Sequence, residues 1–117
     1  MSGVYYPILF NADGSGFSVN NTGTAPTPCV LTIVPRVNLV NIRITGLSKD
    51  PIIINNVQAN DIVIVDGEKR TFTINGVENW DKYAGWQLPR LEPGNNEITV
   101  SNSEQMAIEI AYDLRYI

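Results

Sequence analysis

Period-two alternation of apolar and polar residues is the feature that most restricts what this sequence can fold into. It is clearest near the end of the chain, where Met106, Ile108, Ile110, Tyr112 and Leu114 alternate with Ala107, Glu109, Ala111, Asp113 and Arg115. Side chains two apart share one face of a strand, so this segment predicts a β-strand with one buried face. A second alternating run, Glu97-Ile98-Thr99-Val100, precedes it, and the polar Ser101-Asn102-Ser103 between them predicts a hairpin.

The same pattern recurs upstream. Asp61-Ile62-Val63-Ile64-Val65-Asp66 leads through Gly67-Glu68-Lys69 into Arg70-Thr71-Phe72-Thr73-Ile74, which stops at Asn75-Gly76. Asp-Gly and Asn-Gly tolerate the positive φ of tight connections, so a hairpin is expected here as well. Its first strand is apolar on both faces and reads as covered on both sides. Earlier candidates run from Cys29 to Val34 (stopped by Pro35), from Val37 to Thr45 (ended by Gly46) and from Ile52 to Ile54. The middle one shifts apolar phase between Leu39 and Val40, which predicts a bulge or bend. Tyr5 to Phe10 and Phe17 to Val19 flank Asp13-Gly14-Ser15-Gly16 in a hairpin-like arrangement, and the Thr/Pro/Gly-rich segment from Asn20 to Pro28 reads as a linker or strand-entry loop.

No stretch of ten or more residues carries a capped helical period, although Asn79 to Gln87 has room for a helical turn. The expectation is therefore an all-β chain: an antiparallel β-sandwich of about eight strands, jelly-roll or galectin-like, rather than an α/β fold. At 117 residues it forms one domain over 1–117, with 1–16 as an N-terminal extension or extra hairpin.

Several function classes lose support at once. There is no histidine, the commonest general acid/base at neutral pH, and a single cysteine, Cys29, rules out an internal disulfide and any CxxC site. Cys29 reads as a buried thiol. A net charge of −4 with dispersed cations opposes nucleic-acid binding, and the one adjacent basic pair, Lys69-Arg70, reads as a solvated hairpin tip. No apolar run reaches the roughly 20 residues of a membrane-spanning helix, and no secretion signal opens the sequence, so a soluble chain that folds where it is made is expected. Asp13, Asp50, Asp61, Asp66 and Asp81 lie near turns, where aspartate caps local backbone; no calcium-loop spacing occurs, and neither a metal nor a cofactor is expected. Gly14-Ser15-Gly16 lacks the following helix that a phosphate-binding loop needs.

Both tryptophans fall in the segment Asn79-Trp80-Asp81-Lys82-Tyr83-Ala84-Gly85-Trp86. Aromatic rings flanked by Asp and Asn suit the apolar faces and polar edges of sugars, which makes Trp80, Asp81, Tyr83 and Trp86 the candidate binding residues. The competing reading folds this loop over an open end of the sandwich with its rings plugging the core. Glu92-Pro93-Gly94-Asn95 fits a type II turn feeding the strand that follows.

The order and spacing of Thr24-Ala25-Pro26-Thr27-Pro28, of Asp66 to Gly76, of Trp80-Asp81, Leu88-Pro89 and Leu91-Glu92-Pro93-Gly94-Asn95-Asn96-Glu97-Ile98-Thr99, and of Tyr112 to Ile117 resemble the C-terminal domain of siphophage distal tail proteins, over about Phe17 to Ile117. Each motif alone is ordinary turn chemistry. The resemblance implies a galectin-like or carbohydrate-binding-module-like domain projecting from a ring that joins the tail tube to the adhesion apparatus of a phage or prophage baseplate. The ring-forming N-terminal domain has no counterpart here, so an excised domain, a split prophage product or a free-standing relative is expected. The implied function is non-catalytic assembly at the virion tail tip, through contacts with receptor-binding or other tail-tip proteins, after synthesis in the bacterial host cytoplasm. The alternative is a module that binds host cell-surface glycans. A carboxylate hydrolase is opposed by the missing histidines and the unpaired acids.

Overall fold

The computed structural model describes residues 4–8, 17–85, 87–101 and 105–112. Their strands are β1 (Val4–Ile8), β2 (Phe17–Asn21), β3 (Thr27–Pro35), β4 (Leu39–Thr45), β5 (Ile52–Val57), β6 (Val63–Asp66), β7 (Thr71–Ile74), β8 (Val77–Glu78), β9 (Tyr83–Ala84), β10 (Arg90–Leu91), β11 (Gly94–Val100) and β12 (Met106–Tyr112). A 3-10 turn, Trp80–Lys82, lies between β8 and β9. Nine strands have four residues or more; β8, β9 and β10, with two residues each, bring the total to twelve against the expected eight or so.

All pairings are antiparallel and divide into two sheets, in the order β1-β12-β3-β6-β7-β8, with β10 joining β3, and β2-β11-β4-β5-β9. Their inner faces meet in one apolar core. From the first sheet Leu31, Ile33, Val65, Phe72 and Ile110 are fully enclosed, and from the second Ile42, Ile52 and Ile54. Each such side chain contributes roughly 1.5–3 kcal/mol of burial free energy. This is an antiparallel β-sandwich.

Two expected hairpins are absent. β11 pairs with β2 and β4, whereas β12 pairs with β1 and β3, so the connection from Val100 to Met106 crosses between the sheets. Alternating strands joined by a short polar link can lie side by side or face each other. Here both bury their apolar faces in the same core from opposite sides: Ile98 and Val100 from one sheet, Ile108 and Ile110 from the other. β1 and β2 likewise belong to different sheets, and the expected turn Asp13–Gly16 lies outside the described residues.

The hairpin from Asp61 to Gly76 forms as expected, with Val65 opposite Phe72 and Asp66 opposite Thr71. The Asp66 carboxylate accepts from the backbone N–H groups of Glu68 and Lys69 at 3.0 and 2.9 Å and so organises the tip. Asn75 and Gly76 have φ of 54° and 84°, the positive pair that a type I′ turn requires. The first strand is covered on one face only, however: Val63 and Val65 are buried while Ile62 is 49% exposed. On β4 the phase shift appears where Leu39 pairs with Val57 and Asn41 with Asn55, Val40 and Asn56 being passed over and Asn56 taking φ of 54°. Gly94, at φ 92°, fits the third position of the expected type II turn.

Because the strands run antiparallel, their loops gather at two poles. One pole holds residues 22–26, 46–51, 67–70, 85 and 87–89; the other holds 36–38, 58–62 and 75–76.

Candidate functional site

The aromatic segment closes one side of the sandwich. It leaves the first sheet at β8, turns at Trp80–Lys82, and joins the second sheet as β9, where Tyr83 pairs with Ile54 and Ala84 with Ile53. Phe72, wholly buried, lies beneath it, with ring centroids 5.8 Å from Trp80 and 5.1 Å from Tyr83. Trp80 meets Tyr83 edge-on, at 5.4 Å and 81°. These rings therefore pack over the core and share no common flat face.

Hydrogen bonds hold the strap in place. The Tyr83 hydroxyl donates to the Gln87 carbonyl at 2.6 Å, and Lys82 Nζ donates to the Asn56 carbonyl at 2.9 Å. Half-burial pushes the Tyr83 phenol up to about 12. Asp81 is exposed, Trp80 remains 42% exposed, and Trp86 lies outside the described residues. Of the four residues expected to bind, the fold thus brings Trp80 and Tyr83 together around Phe72, an inward residue that the sequence reading left as part of a strand.

A second feature, assembled from distant parts of the chain, sits at the pole formed by residues 22–26, 46–51, 67–70 and 87–89. Pro26, Pro28, Leu47 and Pro89 supply apolar wall to a cleft of about 610 Å³, and Lys49, Arg70 and Arg90 supply cations. Its loops are tied to one another through the backbone. The Cys29 N–H donates to the Pro89 carbonyl at 3.2 Å, the Gly67 N–H to Cys29 at 2.9 Å, and the Arg90 N–H to Leu47 at 2.8 Å. The Lys49 N–H also donates to Gln87 Oε1, at 3.0 Å. Arg90 is paired with Glu92 at 2.6 Å, both side chains being largely exposed. Arg70 takes φ of 59°, a left-handed conformation favoured by glycine or asparagine.

The remaining titratable groups are structural. Cys29 is fully enclosed, and burial, reinforced by the Asp66 carboxylate, pushes its thiol up to about 12. The carboxyl of Asp61 is held below the usual range by the backbone N–H of Gln58 and then by the Asn75 amide. Among the described residues no three Cys, Asp or Glu side chains converge as a metal site would require.

With this geometry in hand, comparison with known proteins is informative. The family model of the siphovirus-type tail component, C-terminal domain, matches residues 22–116. No curated protein sequence matches the chain. Among solved structures, the crystal structure of the SPP1 Dit (gp 19.1) protein superposes with a TM-score of 0.75 at 13% identity, over 96% of this chain and 46% of that one. That protein is described as a paradigm of the hub adsorption apparatus in phages infecting Gram-positive bacteria. This chain thus spans about half the length of SPP1 Dit, and at such low identity the likeness concerns the fold.

Proposed function

The chain belongs to the siphovirus-type tail component family, as its C-terminal domain, and from that premise we propose that it works as a non-catalytic assembly module at the tail tip, holding neighbouring tail proteins by surface contacts. The family match over residues 22–116 carries this reading. A sandwich whose two sheets share one core supports treating 1–117 as one such module. Non-catalytic action is favoured by the lack of histidine and by the use of Asp61 and Asp66 for backbone capping rather than for proton transfer. Synthesis and assembly in the bacterial host cytoplasm follow from a tail role.

Antibody raised against the chain is expected to decorate the tail tip of the siphovirus-type particles that carry it, in negative-stain micrographs. Absence of the chain from purified tails would overturn the proposal.

A second reading, binding of host cell-surface glycans, rests on the 42% exposure of Trp80 beside Asp81. Titrating purified cell-wall glycan while following tryptophan emission tests it. A response that is unchanged in Trp80→Ala removes Trp80 from any sugar site.

A further inference from the structure

The cleft at the pole of residues 46–51 and 67–70 has a chemistry that narrows what can occupy it. Lys49 and Arg70 from two separate loops and Arg90 from β10 converge on one opening, in a chain whose net charge is −4. Arg90 is engaged by Glu92, but Lys49 and Arg70 make no ion pair among the described residues. With Arg90 neutralised by Glu92, the two remaining cations favour an anionic visitor.

The left-handed backbone of Arg70, φ 59°, closes the four-residue tip between Asp66 and Thr71 and places the residue in the lining of the cleft.

The other half of the lining, with Pro26, Pro28, Leu47 and Pro89, is apolar. A bare polyanion leaves that half unused, whereas a peptide with both acidic and apolar side chains contacts both. A cleft of about 610 Å³ takes a short segment rather than a folded domain. The loops are already cross-linked by the Cys29–Pro89, Gly67–Cys29 and Arg90–Leu47 backbone bonds, so little ordering is needed on binding.

We propose, building on the assembly reading above, that this cleft is a docking groove for a short acidic and partly apolar segment of a second tail protein, with Lys49 and Arg70 as its unpaired cationic contacts.

The test uses the whole chain and a short alternating Glu-Pro peptide as probe, chosen because it is acidic and already extended. Titration by amide-resolved NMR is expected to shift Leu47, Lys49, Gly67, Arg70 and Arg90, with binding weakened by added salt. Arg70→Gly relieves the backbone and keeps the fold, and is expected to bind the probe roughly two- to fivefold more weakly. Lys49→Glu combined with Arg70→Glu is expected to lower affinity more than about tenfold. The groove is overturned if a Lys-Pro peptide binds as well, if Arg70→Gly binds like the wild type, or if the shifts map elsewhere. Equal affinity for inorganic polyphosphate would overturn the peptide assignment, and self-association abolished by the double substitution would assign the cleft to a second copy instead. Tip decoration by antibody without peptide binding defeats the groove and leaves the assembly reading standing; absence from tails defeats the assembly reading whatever the peptide does.

Discussion

Replacing Gly67 with alanine tests the closeness with which the hairpin tip meets the segment before β10. A Cβ at this position would sit 2.3 Å from the Pro89 carbonyl oxygen and 3.0 Å from that of Cys29, both backbone atoms that no rotamer change can move. Restoring a normal contact near ~3.4 Å means withdrawing the tip by about 1 Å. The bonds from Gly67 N–H to Cys29, 2.9 Å, and from Cys29 N–H to Pro89, 3.2 Å, would then stretch beyond useful range. Each is worth about 1 kcal/mol net, and residual overpacking adds about 1–3 kcal/mol. The lower entropy of the unfolded alanine chain returns about 0.4–1 kcal/mol. The expected net loss is about 2–4 kcal/mol. Gly76→Ala provides the contrast: its φ is 84°, yet nothing lies within 4 Å of the added carbon. Only backbone strain of about 1–2 kcal/mol acts there, less the same entropic return, for a loss near 0.5–1 kcal/mol. Urea unfolding of both variants, accepted where the m-values agree, measures the difference. If the two losses lie within about 0.5 kcal/mol of each other, the close approach at Gly67 is refuted.

Asn96, buried on β11, donates to the carbonyls of Val19, Glu92 and Gly94 and accepts from the Glu92 N–H. Asn96→Ala is expected to cost about 2–4 kcal/mol in urea; a loss under about 1 kcal/mol would show those bonds to be dispensable. Trp80→Ala uncovers Phe72 and is expected to cost about 1–2 kcal/mol, whereas no measurable change would mean that the ring does not close the core. The Cys29 thiol rises from 9.0 unfolded to about 12 folded, so the folded state holds its proton more tightly. Its contribution to stability is full below about pH 9 and is lost as the pH climbs towards about 12. Urea midpoints of Cys29→Ala should therefore fall less steeply than wild type across that window. Tyr83 titrates with the same sign and accounts for part of the remaining slope. Equal slopes in the two proteins would refute the Cys29 assignment.

Which residues form strands was legible in the sequence, because one buried face imposes period two; β3 even alternates without a break over its nine residues. Strand partnership was not. The pattern of β11 and β12 fixes which side chains turn inward but not whether the two strands sit in one sheet or face each other from two. Strands β8, β9 and β10 are too short to show any period. In the aromatic segment the clustering was visible, but the packing of Tyr83 against Phe72, eleven residues away in sequence and 5.1 Å away in space, was not. The cleft gave the weakest signal. Lys49, Arg70 and Arg90 are scattered along the chain and meet only because antiparallel strands return their loops to one pole. The Lys69-Arg70 pair was visible, but the left-handed backbone of Arg70 was not.

The places taken by β11 and β12 also bear on how the molecule is made. Among the described residues β1 pairs only with β12 and β2 only with β11, so neither has a partner until these later strands emerge. Both sheets are completed together, from the inside, by insertion of the later strands. Closing loops that span most of the chain is slow, and meanwhile β3 and β4 wait with unpaired, apolar edges. Premature termination before β11 would leave two incomplete sheets prone to associate with other chains, and faithful folding of this domain waits on the synthesis of β11 and β12.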